Sequence, residues 1–243
     1  MANLKRPGGE LASRPLHFIW VVDCSGSMYG EKIGTVNHAI QSTIPEMADA
    51  ARDNPNAQLL IRTLKFSTGA SWVTTTPVPS EDFAWDDLDA NGVTDLGKAF
   101  EMLAAQLTIP PMTDRALPPV LVLLSDGQPT DDYKKSLDKL LHLPWGKKAV
   151  RIAISIGQDA DDDVLEQFTG NRELVLQANN PQALVKMIKW ASTAASMVSA
   201  PASRPKDAEE FAIPKDPSAS NAPLVLDMNN IPDPASIGAG DVW

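Results

Sequence analysis

The hydrophobic positions of this chain fall into runs of two kinds. LHFIWVVD, residues 16–23, is almost continuously apolar, which predicts a strand buried on both faces. From Lys32 the period lengthens: Ile33, Val36, Ile40, Ile44 and Met47 share one helical stripe. Pro45 lies inside that stripe and is expected to kink or split the helix. AQLLIRTLKFS reads as a second strand. ASWVTTTPV, more polar and β-branched, reads as an edge strand ending near Pro77, and the short gap at Thr68–Gly69 suggests a hairpin.

After an acidic loop, PSEDFAWDDLDANGV, the segment TDLGKAFEMLAAQL predicts a helix with Thr94 or Asp95 as N-cap. PPVLVLLSDG repeats the opening pattern: a buried strand that ends in Ser125, Asp126 and Gly127. YKKSLDKLLHL is a short helix, KAVRIAISIG a further buried strand, and DDDVLEQFTG a helix stopped by Gly170. ELVLQA is the last strand, and NNPQALVKMIKWASTAAS a helix capped by Asn180 with Pro181 at its first position.

Strands alternating with helices, interrupted by one hairpin, predict an α/β fold: a doubly wound, mostly parallel sheet with one antiparallel edge strand. Ligands of such sheets bind outside the carboxyl ends of the strands, where Asp23 and Asp126 both fall. The expected organisation is an N-terminal arm over 1–14, one domain over 15–199, and a proline-rich acidic tail over 200–243. That tail holds Pro201, Pro205, Pro214, Pro217, Pro223, Pro232 and Pro234 and no periodic apolar stripe, so it is not expected to bury a core of its own. Its short apolar islands, APLVLDM and DVW, have the character of docking segments, and Ser203, Ser218, Ser220 and Ser236 read as linker residues open to modification by a kinase.

Composition narrows the function. Of the 243 residues 43% are hydrophobic, enough for a real core, and 31 acids against 21 bases give a net charge of −10. Nucleic acid and anionic membrane surfaces bind through an excess of Lys and Arg, so neither is expected as a main partner. A single cysteine, Cys24, excludes an intrachain disulfide and suits a reducing compartment. The polar start MANLKRPGGELASRP has no apolar leader core, and no window approaches a membrane span, so a cytoplasmic protein is expected.

The chemistry concentrates in WVVDCSGSMYG, where a buried strand stops at Asp23 and serines follow at alternate positions, Ser25 and Ser27. A phosphatase of the haloacid-dehalogenase type needs a second aspartate where Ser25 stands. A nucleophile elbow needs Gly-x-Ser-x-Gly, which residues 24–28 lack. His17, His38 and His142 lie at a strand start and in helical patterns, away from any nucleophile motif. Gly26 and Gly30 match neither phosphate-binding glycine pattern. A hard divalent cation fits better: Asp23, Ser25 and Ser27 offer three oxygens from one turn, with Gly26 expected to let the backbone turn tightly. From this stretch alone, simple capping of the following helix explains the same residues equally well.

Two further loops add NGVTDLG, with Thr94, and LSDGQPTDD, with Asp126. Together with Asp-x-Ser-x-Ser after the first strand, they resemble the metal-ion-dependent adhesion site of von Willebrand factor A domains, over about residues 15–199. The strings DFAWDDLDANGVTDLG and LLSDGQPTDDY are similar to the bacterial TerY-like branch, named for tellurite-resistance operons. The resemblance implies that Ser25, Ser27 and Thr94 bind Mg²⁺ (or Mn²⁺) directly and that Asp23 and Asp126 act mainly through water. Neutral hydroxyls leave cation charge uncompensated, so an acidic residue of a partner protein is expected to complete the shell. The family often carries another residue at the position of Cys24, which is expected to be a small buried apolar group.

The resemblance further implies a non-enzymatic, cation-dependent adaptor or scaffold in bacterial stress response or signalling. A protein kinase and a metal-dependent protein phosphatase are its implied associates. The alternative is a metal-dependent phosphoester hydrolase, for which a nucleophile or base is missing from the motifs. Asp95 is expected to cap its helix, Asp131 and Asp132 to solvate or cap the next one, and Asp161–Asp163 to favour a helix N-terminus. Glu81, Asp82, Asp86, Asp87 and Asp89 read as a solvated loop, and Trp72 and Trp85 as either rim or core.

Overall fold

The computed structural model describes residues 13–54, 56–158, 160–199 and 231–232, without the side chains of 193–199. Its strands are β1 (Arg14–Asp23), β2 (Ala57–Ser67), β3 (Gly69–Trp72), β4 (Val78–Pro79), β5 (Val120–Ser125), β6 (Val150–Ile156) and β7 (Val175–Ala178). Its helices are α1 (Glu31–Arg52), α2 (Leu96–Gln106), α3 (Tyr133–His142), α4 (Pro144–Lys148), α5 (Asp162–Thr169) and α6 (Pro181–Ser199). The sheet order is β3-β2-β1-β5-β6-β7, parallel from β2 through β7 and antiparallel at the β3 edge.

Every other side chain of a central strand faces the same layer, and the two layers are separate cores. Phe18, Trp20 and Val22 of β1 pack with Val122 and Leu124 of β5 beneath α1 and α6. Ile19 and Val21 pack with Leu121 and Leu123 beneath α2, α3 and α5. This two-sided burial is why the central strands read as continuous apolar runs. Ile231, within the acidic tail, packs half-buried against the α1/α6 core. Apart from Ile231 and Pro232, that tail, including both apolar islands and its serines, lies outside the described residues, as does most of the N-terminal arm.

The structure departs from the sequence reading in three places. The expected strand 70–78 is broken into β3 and a two-residue β4, both antiparallel to β2. Between them the Arg62 guanidinium donates to the carbonyls of Thr74 (3.2 Å) and Thr75 (2.6 Å), turning those acceptors to a side chain rather than a ladder. Helix α1 runs unbroken through Pro45, with Ile44 and Met47 on either side buried in the core, so packing outweighs the one lost backbone bond. The five-residue α4, too short for a periodic signal, was not legible in the pattern. Elsewhere local chemistry held: Asn180 Oδ1 accepts from the Ala183 N–H at 2.8 Å to cap α6, Asp161 caps α5, and Gly170 ends it in the left-handed region.

Candidate metal centre

Strand β1 leaves the sheet toward β2, and β5 leaves it toward β6, so the crevice between β1 and β5 is the topological switch point. The register Val22↔Leu124 sets Asp23 beside Ser125 at the ends of the two strands. Asp23 is wholly buried, and both of its oxygens are used: Oδ1 accepts from the Ser25 N–H (2.8 Å) and Oδ2 from Ser125 Oγ (2.6 Å). Ser125 Oγ in turn accepts from the Gly127 N–H at 2.8 Å, which fixes the turn that carries Asp126. Ser125 was not singled out as a site residue from the sequence. Its only signal was its position directly before Asp126 in LSDG.

Ser25 is buried and Ser27 exposed, and their hydroxyls are 3.0 Å apart. The Gly26 N–H between them donates to the Gly92 carbonyl at 3.0 Å, tying this loop to the one that bears Thr94. A Cβ at Gly26 would lie 3.3 Å from that carbonyl, so this glycine serves a close backbone approach and is not in a left-handed turn. Thr94 is buried, and its backbone is clamped to the third loop: its N–H donates to Thr130 Oγ1 (3.1 Å) and its carbonyl accepts from the Thr130 N–H (2.9 Å). The backbone thus joins the three loops carrying Asp23, Ser25, Ser27, Thr94 and Asp126.

Asp126 differs from Asp23. Its Oδ2 lies 3.5 Å from Lys32 Nζ, while its Oδ1 is buried with no hydrogen-bond partner. Burial pushes the Asp23 carboxyl up to about 6; the bonds from Ser125 and Ser25 pull it down, and the nearby Asp126 charge adds to the rise. Two buried carboxylates, one with an unpartnered oxygen, plus three hydroxyl-bearing residues form an all-oxygen donor set of the kind hard cations take.

Several acids lie elsewhere than expected. Asp95 makes no side-chain cap to α2. Its Oδ2 accepts from the Gly69 N–H at 2.7 Å, pinning the β2–β3 turn. Asp131 caps α2 instead, accepting from the Gly97 (2.9 Å) and Lys98 (3.2 Å) N–H groups across the third loop. Capping from a distant loop satisfies the same orphan donors and cross-links two site loops. Trp85 is core: its Nε1–H donates to Asn37 Oδ1 at 3.2 Å, and Asn37 also bonds the backbone of Leu88 in both directions. The acidic side chains Glu81, Asp82, Asp86, Asp87 and Asp89 point to solvent from that pinned loop. Trp72 is half-buried under the Arg62 guanidinium, 3.7 Å from its ring centre. Cys24 is buried in the α1/α6 core, its thiol pushed up to about 12 by burial and so not a nucleophile at neutral pH.

The sequence model of the von Willebrand factor type A domain matches residues 18–190. The chain belongs to the von Willebrand factor A family. No curated protein matches it significantly. Solved structures similar to this A domain include a von Willebrand factor type A protein from Catenulispora acidiphila, 16% identical with a TM-score of 0.54, covering 75% of this chain and 43% of that one. The ArnB paralog VWA2 from Sulfolobus acidocaldarius is 19% identical with a TM-score of 0.54, covering 72% and 44%. Proximal thread matrix protein 1 of the mussel byssus, with a zinc-occupied MIDAS motif (the metal-ion-dependent adhesion site), is 16% identical with a TM-score of 0.56, covering 77% and 49%. The A domain here therefore spans less than half the length of each of these proteins, and at such identities the likeness is one of fold. No helix among the described residues is long and apolar enough to cross a membrane.

Proposed function

We propose that this A domain is a cytoplasmic, divalent-cation-dependent protein-binding adaptor, not an enzyme. Ser25, Ser27 and Thr94 would hold Mg²⁺ (or Mn²⁺) through their hydroxyls, with Asp23 and Asp126 supplying the balancing charge. The observation that carries this reading is the buried, unpartnered Oδ1 of Asp126 beside a second buried carboxylate at the switch point. Such an acceptor costs about 1–3 kcal/mol if left unsatisfied, and more when charged, so the residues present fit a cation. The zinc-occupied site of the mussel protein supports a divalent ion on the same fold. When bound, the ion would supply a Lewis-acidic position for a carboxylate of the partner.

The protein's own groups prepare that encounter. Ser125 and the Ser25 N–H fix the Asp23 carboxylate, and the clamp between Thr94 and Thr130 fixes the second loop. Tyr29 and Val93 stand exposed on the two loops joined by the Gly26–Gly92 bond, an apolar rim for the residues that flank a partner's acid. The setting in bacterial stress response, with a protein kinase and a metal-dependent phosphatase as associates, extends this reading through the TerY-like strings DFAWDDLDANGVTDLG and LLSDGQPTDDY. Affinity capture from cells of the source, with Mg²⁺ or with chelator, tests it on wild-type and Ser25→Ala/Ser27→Ala protein. The reading expects partners held only by the wild type with metal. The same partners retained in chelator and by the double variant would move the interface to another face.

A further inference from the structure

Lys32 sits in the first turn of α1, and its ammonium reaches across the switch point to the ends of β5 and β6. It lies 3.5 Å from Asp126 Oδ2, with only a fifth of its side chain exposed. A Cβ on Gly157, just past β6, would come within 3.1 Å of its Nζ, and Gly157 has a φ of +89°, so the bare backbone there makes room for the ammonium. A long cationic side chain held this way costs conformational entropy, which its contact with a buried carboxylate offsets.

We propose that Lys32 is a resident counter-cation of this site: it opposes uptake of a divalent metal alone and favours its uptake together with an anionic group. The proposal rests on the reading of Asp23, Ser25, Ser27, Thr94 and Asp126 as a metal centre. Its basis is the charge balance. Two ionised carboxylates and one ammonium leave the site with a single net negative charge, which a divalent ion converts to a single net positive one. An incoming carboxylate then brings the site to neutrality. With a neutral side chain at position 32, the metal alone already neutralises the site, and a further carboxylate leaves it anionic in a protein that is acidic overall. Lys32 therefore couples metal and partner, and it holds Asp126 through Oδ2 while Oδ1 stays without a hydrogen-bond partner. It is a positioning residue and not a metal ligand.

The test uses Mn²⁺ alone as probe, followed by electron paramagnetic resonance, on the full chain. Wild type is compared with Lys32→Met, Lys32→Gln and the charge-preserving Lys32→Arg, each shown to be folded by circular dichroism. The neutral variants should bind Mn²⁺ on the order of tenfold more tightly than wild type at low ionic strength, with the gap closing as salt is added, while Lys32→Arg stays near wild type. Acetate, set against chloride at equal ionic strength, should tighten Mn²⁺ binding in wild type and Lys32→Arg more than in the neutral variants. Equal or weaker Mn²⁺ affinity in both neutral variants overturns the role of Lys32 while leaving the metal centre standing. Acetate acting by the same factor in every protein, no change included, overturns the coupling. Folded proteins that all fail to bind Mn²⁺ remove the metal centre itself and this inference with it.

Discussion

Two buried charges in this molecule are treated in opposite ways. Near the sheet edge, Arg62 is bonded through each of its three nitrogens. Its nitrogens donate to the carbonyls of Thr74 and Thr75 and to Gln106 Oε1 (2.6 Å), and its flat face lies on Trp72. At the switch point, Asp23 is likewise satisfied, but its neighbour Asp126 keeps one buried oxygen without a partner. A fully bonded buried charge holds a fold in one arrangement. A partly bonded one retains binding capacity, and it stays buried only if something compensates it. The contrast separates a clamp from a site although both consist of buried ionic groups.

The largest effect should come from opening the clamp. Arg62→Leu strips three bonds that tie β2 to helix α2 and to the segment between β3 and β4, and leaves the buried Gln106 Oε1 without its Arg62 partner, at a cost of roughly 3 kcal/mol. Urea unfolding measures it, and the loss should be the same with Mg²⁺ or with chelator. A loss that depends on the metal would mean the two regions are energetically one.

The site should respond in the reverse manner. Saturating Mg²⁺ should raise the stability of wild type by about 2.7 kcal/mol at a hundredfold excess over its dissociation constant. Asp23→Ala should abolish that gain. Thermal unfolding in metal and in chelator gives both numbers, and identical midpoints for the wild type would make the site as closed as the clamp.

A pH series sharpens the comparison further. Because the Asp23 carboxyl is pushed up to about 6 in the folded chain, the native state holds a proton that the unfolded chain has already released. That contribution to stability is fully present below the ordinary carboxylate range and is lost as pH rises through about 6. In chelator, wild type should therefore lose about 2 kcal/mol relative to Asp23→Asn between roughly pH 4 and pH 7. With Mg²⁺, which favours the ionised carboxylate, the relative loss should shrink. Parallel wild-type and Asp23→Asn curves in chelator would contradict the burial argument.

The smallest effect belongs to the cap that links the site loops. Asp131→Ala should cost about 1 kcal/mol, the usual cost of a lost helix cap, although the residue lies more than thirty positions from the N–H groups it caps. Because the same bonds hold the third loop against the second, Asp131→Ala should also weaken Mg²⁺ binding severalfold by isothermal titration. Asp132→Ala, which makes no side-chain cap, should change neither.

What the sequence alone determined is whatever depends on neighbours along the chain. Apolar runs and stripes specified the central strands and the long helices, because burial on two faces or on one leaves different periods. Asp23, Ser25 and Ser27 were legible as a group since alternate residues of one tight turn necessarily lie together. Asn180 was legible as a cap because a cap bonds two or three residues ahead, and the run Asp161–Asp163 as the acidic start of a helix, within which the structure makes Asp161 the cap. Thr94 and Asp126 could be joined to that turn only through a family resemblance, as spacing along the chain carries no information on which loops meet. The tertiary structure decided the rest. Strand register brought Ser125 to Asp23, 102 residues away. Helix placement carried Lys32 to Asp126. Loop packing reassigned Asp95 to a turn and Asp131 to a distant helix, and Arg62 broke the edge strand that β-branched residues alone would have continued. Each is a short-range polar contact between distant positions. Hydrophobic patterning can select the layers of a fold, but it cannot say which of several equally polar side chains will face one another once the layers close.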